Sequence, residues 1–109
     1  MHELAIAQSV VDVVLRRTGD RPVSTVRLQV GRLSGVVPDS LLFCFDLTTS
    51  GTPLEGAVLQ IDEPTGRAQC RSCGGEFALD DLFLLCPCGS ADVELLAGRE
   101  LQVTSVDVA

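Results

Sequence analysis

Four of the five cysteines of this chain lie in one stretch, RAQCRSCGGEFALDDLFLLCPCGSADVELLAG. Cys70 and Cys73 form a C-x2-C pair, and after twelve further residues Cys86 and Cys88 form C-P-C. Two close thiol pairs separated by a short hairpin are a ribbon arrangement. Each tight turn supplies two thiolates, and together they complete a tetrahedral Zn(II) site. Gly74, Gly75 and Gly89 let the backbone fold close around the sulfurs. Four protein ligands leave no open position, so the metal is expected to be structural. The second pair is one residue short of C-x2-C, which predicts a strained bite. A redox disulfide between Cys70 and Cys73 and an Fe–S cluster are the rival chemistries; zinc ranks ahead of both. Cys44, between Phe43 and Phe45 in an apolar helical stretch, reads as a buried inert thiol.

The other residue with chemistry to offer is His2, the single histidine of the chain. A lone imidazole beside a chain end is ordinarily a solvated surface group, and the dipeptide by itself carries little weight. One histidine also excludes a Ser–His–Asp or Cys–His set. With no phosphate-binding glycine loop and a saturated zinc, no enzyme is expected.

The totals narrow the partners. A net charge of −7, only four Phe and no Trp or Tyr argue against nucleic acid, which asks for basic surface and stacking platforms. No run is long enough to span a membrane. The start lacks a basic n-region, and Asp12, Arg16 and Arg17 interrupt its apolar character. The expected location is therefore the cytoplasm, where thiols stay reduced.

These groups need elements to position them. Residues 3–18 read as an amphipathic helix with Leu4, Ala7, Val11 and Val14 inward, Val10 and Leu15 widening the stripe, and Gly19 closing it. VSTVRLQVG reads as a strand burying Val26, Leu28 and Val30. PDSLLFCFDLTTSG predicts a second helix, capped by Asp39 or Ser40 and ended by Gly51. AVLQID returns to strand alternation, with Ala57, Leu59 and Ile61 on one face. In RELQVTSVDV, Leu101 and Val103 are out of phase with Val106 and Val108, predicting a bulge or a change of exposed face near Ser105. The fold class is thus α+β: two helices packed on a small three-stranded sheet, with an inserted zinc-ribbon-like module. Residues 1–65 and 98–109 form the larger domain, and 66–97 the insert, which is too small to hold itself together by burial alone.

Taken in order, MHELAIAQSVV, VGRLSGVVPDSLLFCFD, CRSC…CPCGS and GRELQVTSVDV resemble the HypA/HybF hydrogenase-maturation proteins over essentially the whole chain. The resemblance implies a nickel metallochaperone for [NiFe]-hydrogenase assembly. His2 is then the nickel ligand, Met1 supplies its free amine, and Glu3 completes or tunes the site. Cys70, Cys73, Cys86 and Cys88 are the zinc ligands. A HypB-type GTPase and a [NiFe]-hydrogenase large subunit are the implied partners. Elementary chemistry agrees with that assignment. An α-amine and an imidazole release their protons at about 7.7–8.0 and about 6.5. Together with backbone amides they make one short nitrogen chelate, suited to square-planar Ni(II), whereas zinc prefers tetrahedral thiolates. The competing reading from the residues alone is a zinc-ribbon protein–protein adaptor that carries no transient metal.

Overall fold

A computed structural model of the chain describes residues 2–109. Two helices and six strands follow in the order α1 (Glu3–Thr18), β1 (Val23–Val30), α2 (Pro38–Thr49), β2 (Val58–Asp62), β3 (Gly66–Cys70), β4 (Glu76–Leu79), β5 (Val93–Ala97) and β6 (Leu101–Val108). The strands form two three-stranded sheets, ordered β2-β1-β6 and β4-β3-β5. The chain divides into two compact units. One takes the residues up to Gln29, then Val36–Asp62 and Gln102–Ala109; the other takes Val30–Gly35 and Glu63–Leu101.

In the first unit, β1 and β2 pair in parallel, Val26 opposite Leu59 and Leu28 opposite Ile61. Such a pair needs a crossover, which α2 supplies. The helices α1 and α2 pack against each other. Ala7, Val10, Val11 and Val14 of α1, Val26 and Leu28 of β1, Leu41 and Phe45 of α2, and Leu54 form the buried core.

Three local expectations change here, and the alternative left open for β6 is decided. On α1 the buried stripe is Glu3, Ala7, Val10, Val11, Val14 and Thr18, while Leu4 is 49% exposed. The helix is rotated so that a carboxylate takes the inward position of its first turn. Helix α2 starts at Pro38 with Val37 as its cap, so neither Asp39 nor Ser40 is the capping residue; proline's fixed φ suits the first helical position, and its missing N–H would go unbonded there anyway. Cys44 is half-buried instead of sealed in the core. In β6 no residue is inserted. Ala109 N–H bonds to Pro22 O at one end and Gly31 N–H to Glu100 O at the other, which is the same antiparallel offset. The exposed face changes instead, Val103, Val106 and Val108 each being half-buried.

In the second unit, β3 is the central strand, antiparallel to both β4 and β5. Its core is small: Leu33, Ala68 and Leu79, with Phe77, Leu84, Val93 and Leu95 packed around them. Leu33 reaches this core because Gly31 and Gly98 let two backbones touch. Leu33 N–H donates to Gly98 O at 2.7 Å, and a Cβ on Gly31 would collide with that same carbonyl.

Candidate metal centres

The cysteine turns sit at the end of β3 and in the loop before β5. Cys70 closes β3, Cys73 follows in its turn, and Cys86 and Cys88 form the second turn. All four sulfurs lie within 4.8 Å of one another. Cys70 and Cys88 are 3.7 Å apart, as are Cys73 and Cys86. A tetrahedron with Zn–S bonds of about 2.3 Å has S···S edges of about 3.8 Å, so the donor set fits zinc in number, element and spacing. Cys44 is not part of the cluster.

The shortened C-P-C pair keeps the bonding scheme of the longer one. In the first turn, Cys70 Sγ accepts the Cys73 N–H at 3.4 Å. Cys70 O accepts from Gly74 N–H, and Cys70 N–H donates to Gly75 O. In the second, Cys86 Sγ accepts the Cys88 N–H at 3.4 Å. Cys86 O accepts from Gly89 N–H, and Cys86 N–H donates to Ser90 O. Every bond of the second turn spans one residue fewer. The positive φ needed to close each turn falls on glycine, 78° at Gly74 and 98° at Gly89, and no other residue type among those described has positive φ. The expected strain is thus absorbed by moving the glycine one place earlier. Ser72 and Ser90 hydroxyls join the two turns at 2.8 Å, and Arg71 pairs with Asp92 at 3.1 Å.

The same turns push two of the thiols in opposite directions. The Cys73 N–H hydrogen bond brings the Cys70 thiol down to about 6, against the effect of burial. At Cys86 the Cys88 N–H also favours the thiolate, but burial and the neighbouring thiols Cys88, Cys73 and Cys70 outweigh it and push that thiol up to about 12. Four thiolates cannot share so small a volume without a positive charge among them.

At the other candidate centre, His2 is exposed at the N-cap position of α1, and its carbonyl accepts the first helical bond from Ile6 N–H at 2.9 Å. Met1 lies outside the described residues. Glu3 is only 3% exposed, and its carboxylate accepts the Val37 N–H at 3.1 Å. That bond ties the first turn of α1 to the cap of α2. The sequence reading missed it, although the i, i+4 spacing of Glu3 to Ala7 was a signal that Glu3 shares the buried stripe.

The family model described as "Hydrogenase/urease nickel incorporation, metallochaperone, hypA" matches residues 1–108. The chain belongs to the HypA family. It is therefore a nickel-incorporation metallochaperone and maturation factor. Relatives named hydrogenase maturation factor HypA occur in Streptomyces avermitilis, 52% identical over 112 residues (97% of this chain, 86% of the relative), and in Nostoc sp., 44% identical over 108 residues (99% and 96%). The solution structure of the Ni metallochaperone HypA from Helicobacter pylori shares the fold. Its TM-score is 0.69 at 19% identity, covering 99% of this chain and 97% of that one. Membership places the chain with the hydrogenase-maturation machinery. Among the described residues, no helix is long and apolar enough to cross a membrane.

Proposed function

We propose that this HypA-family chain binds Ni(II) at its N-terminus and delivers it for [NiFe]-hydrogenase maturation, while Cys70, Cys73, Cys86 and Cys88 hold a structural Zn(II). The family match over residues 1–108 carries the reading. The Met1 amine, the His2 imidazole and adjacent backbone amides form the nitrogen chelate. Glu3 completes or tunes it, one of its carboxylate oxygens being held by Val37 N–H. The exposure of His2 suits a site that must pass its ion on, because few packed contacts have to break. Soft thiolates retain zinc, and nitrogen donors suit planar nickel, so ligand chemistry sorts the two metals. Amide nitrogens must lose protons to bind, which makes nickel affinity rise with pH. A HypB-type GTPase and the hydrogenase large subunit are the partners of this delivery, which takes place in the cytoplasm.

Nickel titration of the zinc-loaded protein tests the site, comparing wild type, His2→Ala and a variant with one residue added before Met1. Both variants should lose planar nickel binding with zinc content unchanged. Unchanged affinity in the extended variant removes the amine from the site. Retained hydrogenase maturation by His2→Ala would favour the zinc-ribbon adaptor.

A further inference from the structure

Helix α2 has more apolar surface than the core uses. Its buried row is Leu41, Phe45 and Thr49, yet Phe43 is 66% and Leu47 59% exposed. With Asp39 these two make an outward ridge at spacings of four. Between this helix and the start of α1 runs an open groove of about 490 Å³, lined by Glu3, Leu4, Asp39, Ser40, Phe43 and Cys44. Large apolar side chains grouped beside a concavity mark an interaction surface more often than accidental exposure.

The charge around the groove specifies its occupant. Helix α2 contains Asp39 and Asp46 and no basic residue. The basic residues of α1, Arg16 and Arg17, lie in its last turn, about 18 Å along the helix from Leu4 at 1.5 Å per residue. Neither Asp39 nor Asp46 takes part in an ion pair among those described. A second copy of this chain would bring acidic rims together, on a protein already at −7. A partner with apolar side chains flanked by Arg or Lys would fill the groove and neutralise the rim at once.

We propose that the α1–α2 groove docks a cationic amphipathic helix of a protein partner, its apolar face on Leu4, Phe43 and Leu47 and its basic flank on Asp39 and Asp46. Apolar contact of this helix-in-groove kind supplies affinity, and the rim charges supply orientation and encounter rate. Because Leu4 lies two residues from His2 in sequence, the docked partner would be the one that gives or takes nickel; that role rests on the nickel reading above, whereas the docking does not.

The probe is a short synthetic helical peptide with leucines on one face and arginines on the other, titrated into the zinc-loaded, nickel-free full chain by NMR. Amide signals of Leu4, Ser40, Phe43 and Cys44 should move. The double variant Phe43→Ser, Leu47→Ser should bind about tenfold or more weakly. Asp39→Asn with Asp46→Asn should flatten the salt dependence. Signals that move elsewhere, equal binding of a leucine–glutamate peptide, or unchanged affinity in the serine variant would overturn the proposal. So would groove signals that shift with protein concentration alone, which would point to a second copy. Nickel titration of the serine variant separates the two readings: it should bind nickel as wild type does, and absence of nickel binding in both leaves the docking result standing.

Discussion

The Glu3 carboxylate accepts the Val37 backbone N–H at 3.1 Å, so a buried acid at the start of α1 satisfies the cap of α2. Val37 cannot cap with its own side chain, and an N-terminal N–H left unbonded in a partly buried place is costly. Glu3→Gln keeps an acceptor oxygen and should retain the packing; Glu3→Leu removes it and should lower the melting temperature and speed exchange of the Val37 amide. Hydrogen exchange at Val37 checks this. Equal protection in wild type and Glu3→Leu would show that the bond does not hold the two helices.

Two phenylalanines two residues apart should behave oppositely. Phe45 is 1% exposed and Phe43 66%. Phe45→Ala should cost about 3–5 kcal/mol, enough to threaten folding of so small a unit. Phe43→Ala should stay within about 0.5 kcal/mol. Urea unfolding of both variants measures the contrast.

Zinc uptake should release protons. With the Cys86 thiol pushed up to about 12 and the Cys70 thiol down to about 6, the metal-free cluster retains protons at neutral pH that the metal must displace. Apparent zinc affinity therefore rises with pH, and calorimetry in buffers of different ionisation enthalpy should detect the release. Chelation, or Cys70→Ser, should unfold the second unit, whose core of Leu33, Ala68 and Leu79 is too small to persist alone. The first unit, with its larger core, should keep its helical circular dichroism.

Arg27 and Asp107 are linked at 2.9 Å across β1 and β6, and the guanidinium holds the Asp107 carboxyl below its ordinary range. A depressed carboxylate contributes its stability above the unfolded value of about 3.9, and the contribution fades as pH falls through the lower folded value. Arg27→Ala should thus lower the melting temperature slightly at neutral pH and narrow its difference from wild type in acid. Both groups are substantially exposed, so salt should erode the effect too.

Gly31→Ala should destabilise the second unit by about 1–3 kcal/mol, because its Cβ meets the Gly98 carbonyl, which is fixed backbone. Thermal unfolding of the zinc-loaded variant tests this. An unchanged melting temperature would mean that Leu33 does not depend on that close approach.

What the sequence determined by itself followed from short-range rules. The cysteine spacing pointed to one four-thiol cluster because two tight turns deliver thiols in pairs, and the alternation of Val26, Leu28 and Val30 specified a strand because side chains in a strand alternate between its faces. Helix α1 was legible for the same reason, down to its closing glycine. The tertiary structure decided what depends on residues distant in the chain. Whether Leu4 or Glu3 faces inward turns on a partner 34 positions away, Val37. The burial of Leu33 depends on Gly98. The β3–β5 register, with Ala68 opposite Leu95, could not be read from strands so short and so polar. The fit of C-P-C beside C-x2-C needed the backbone itself, for the missing residue is accommodated in hydrogen bonds that sequence spacing does not display. Local patterning sets which elements form; long-range backbone contacts set which of their faces, and which of their charges, the protein uses.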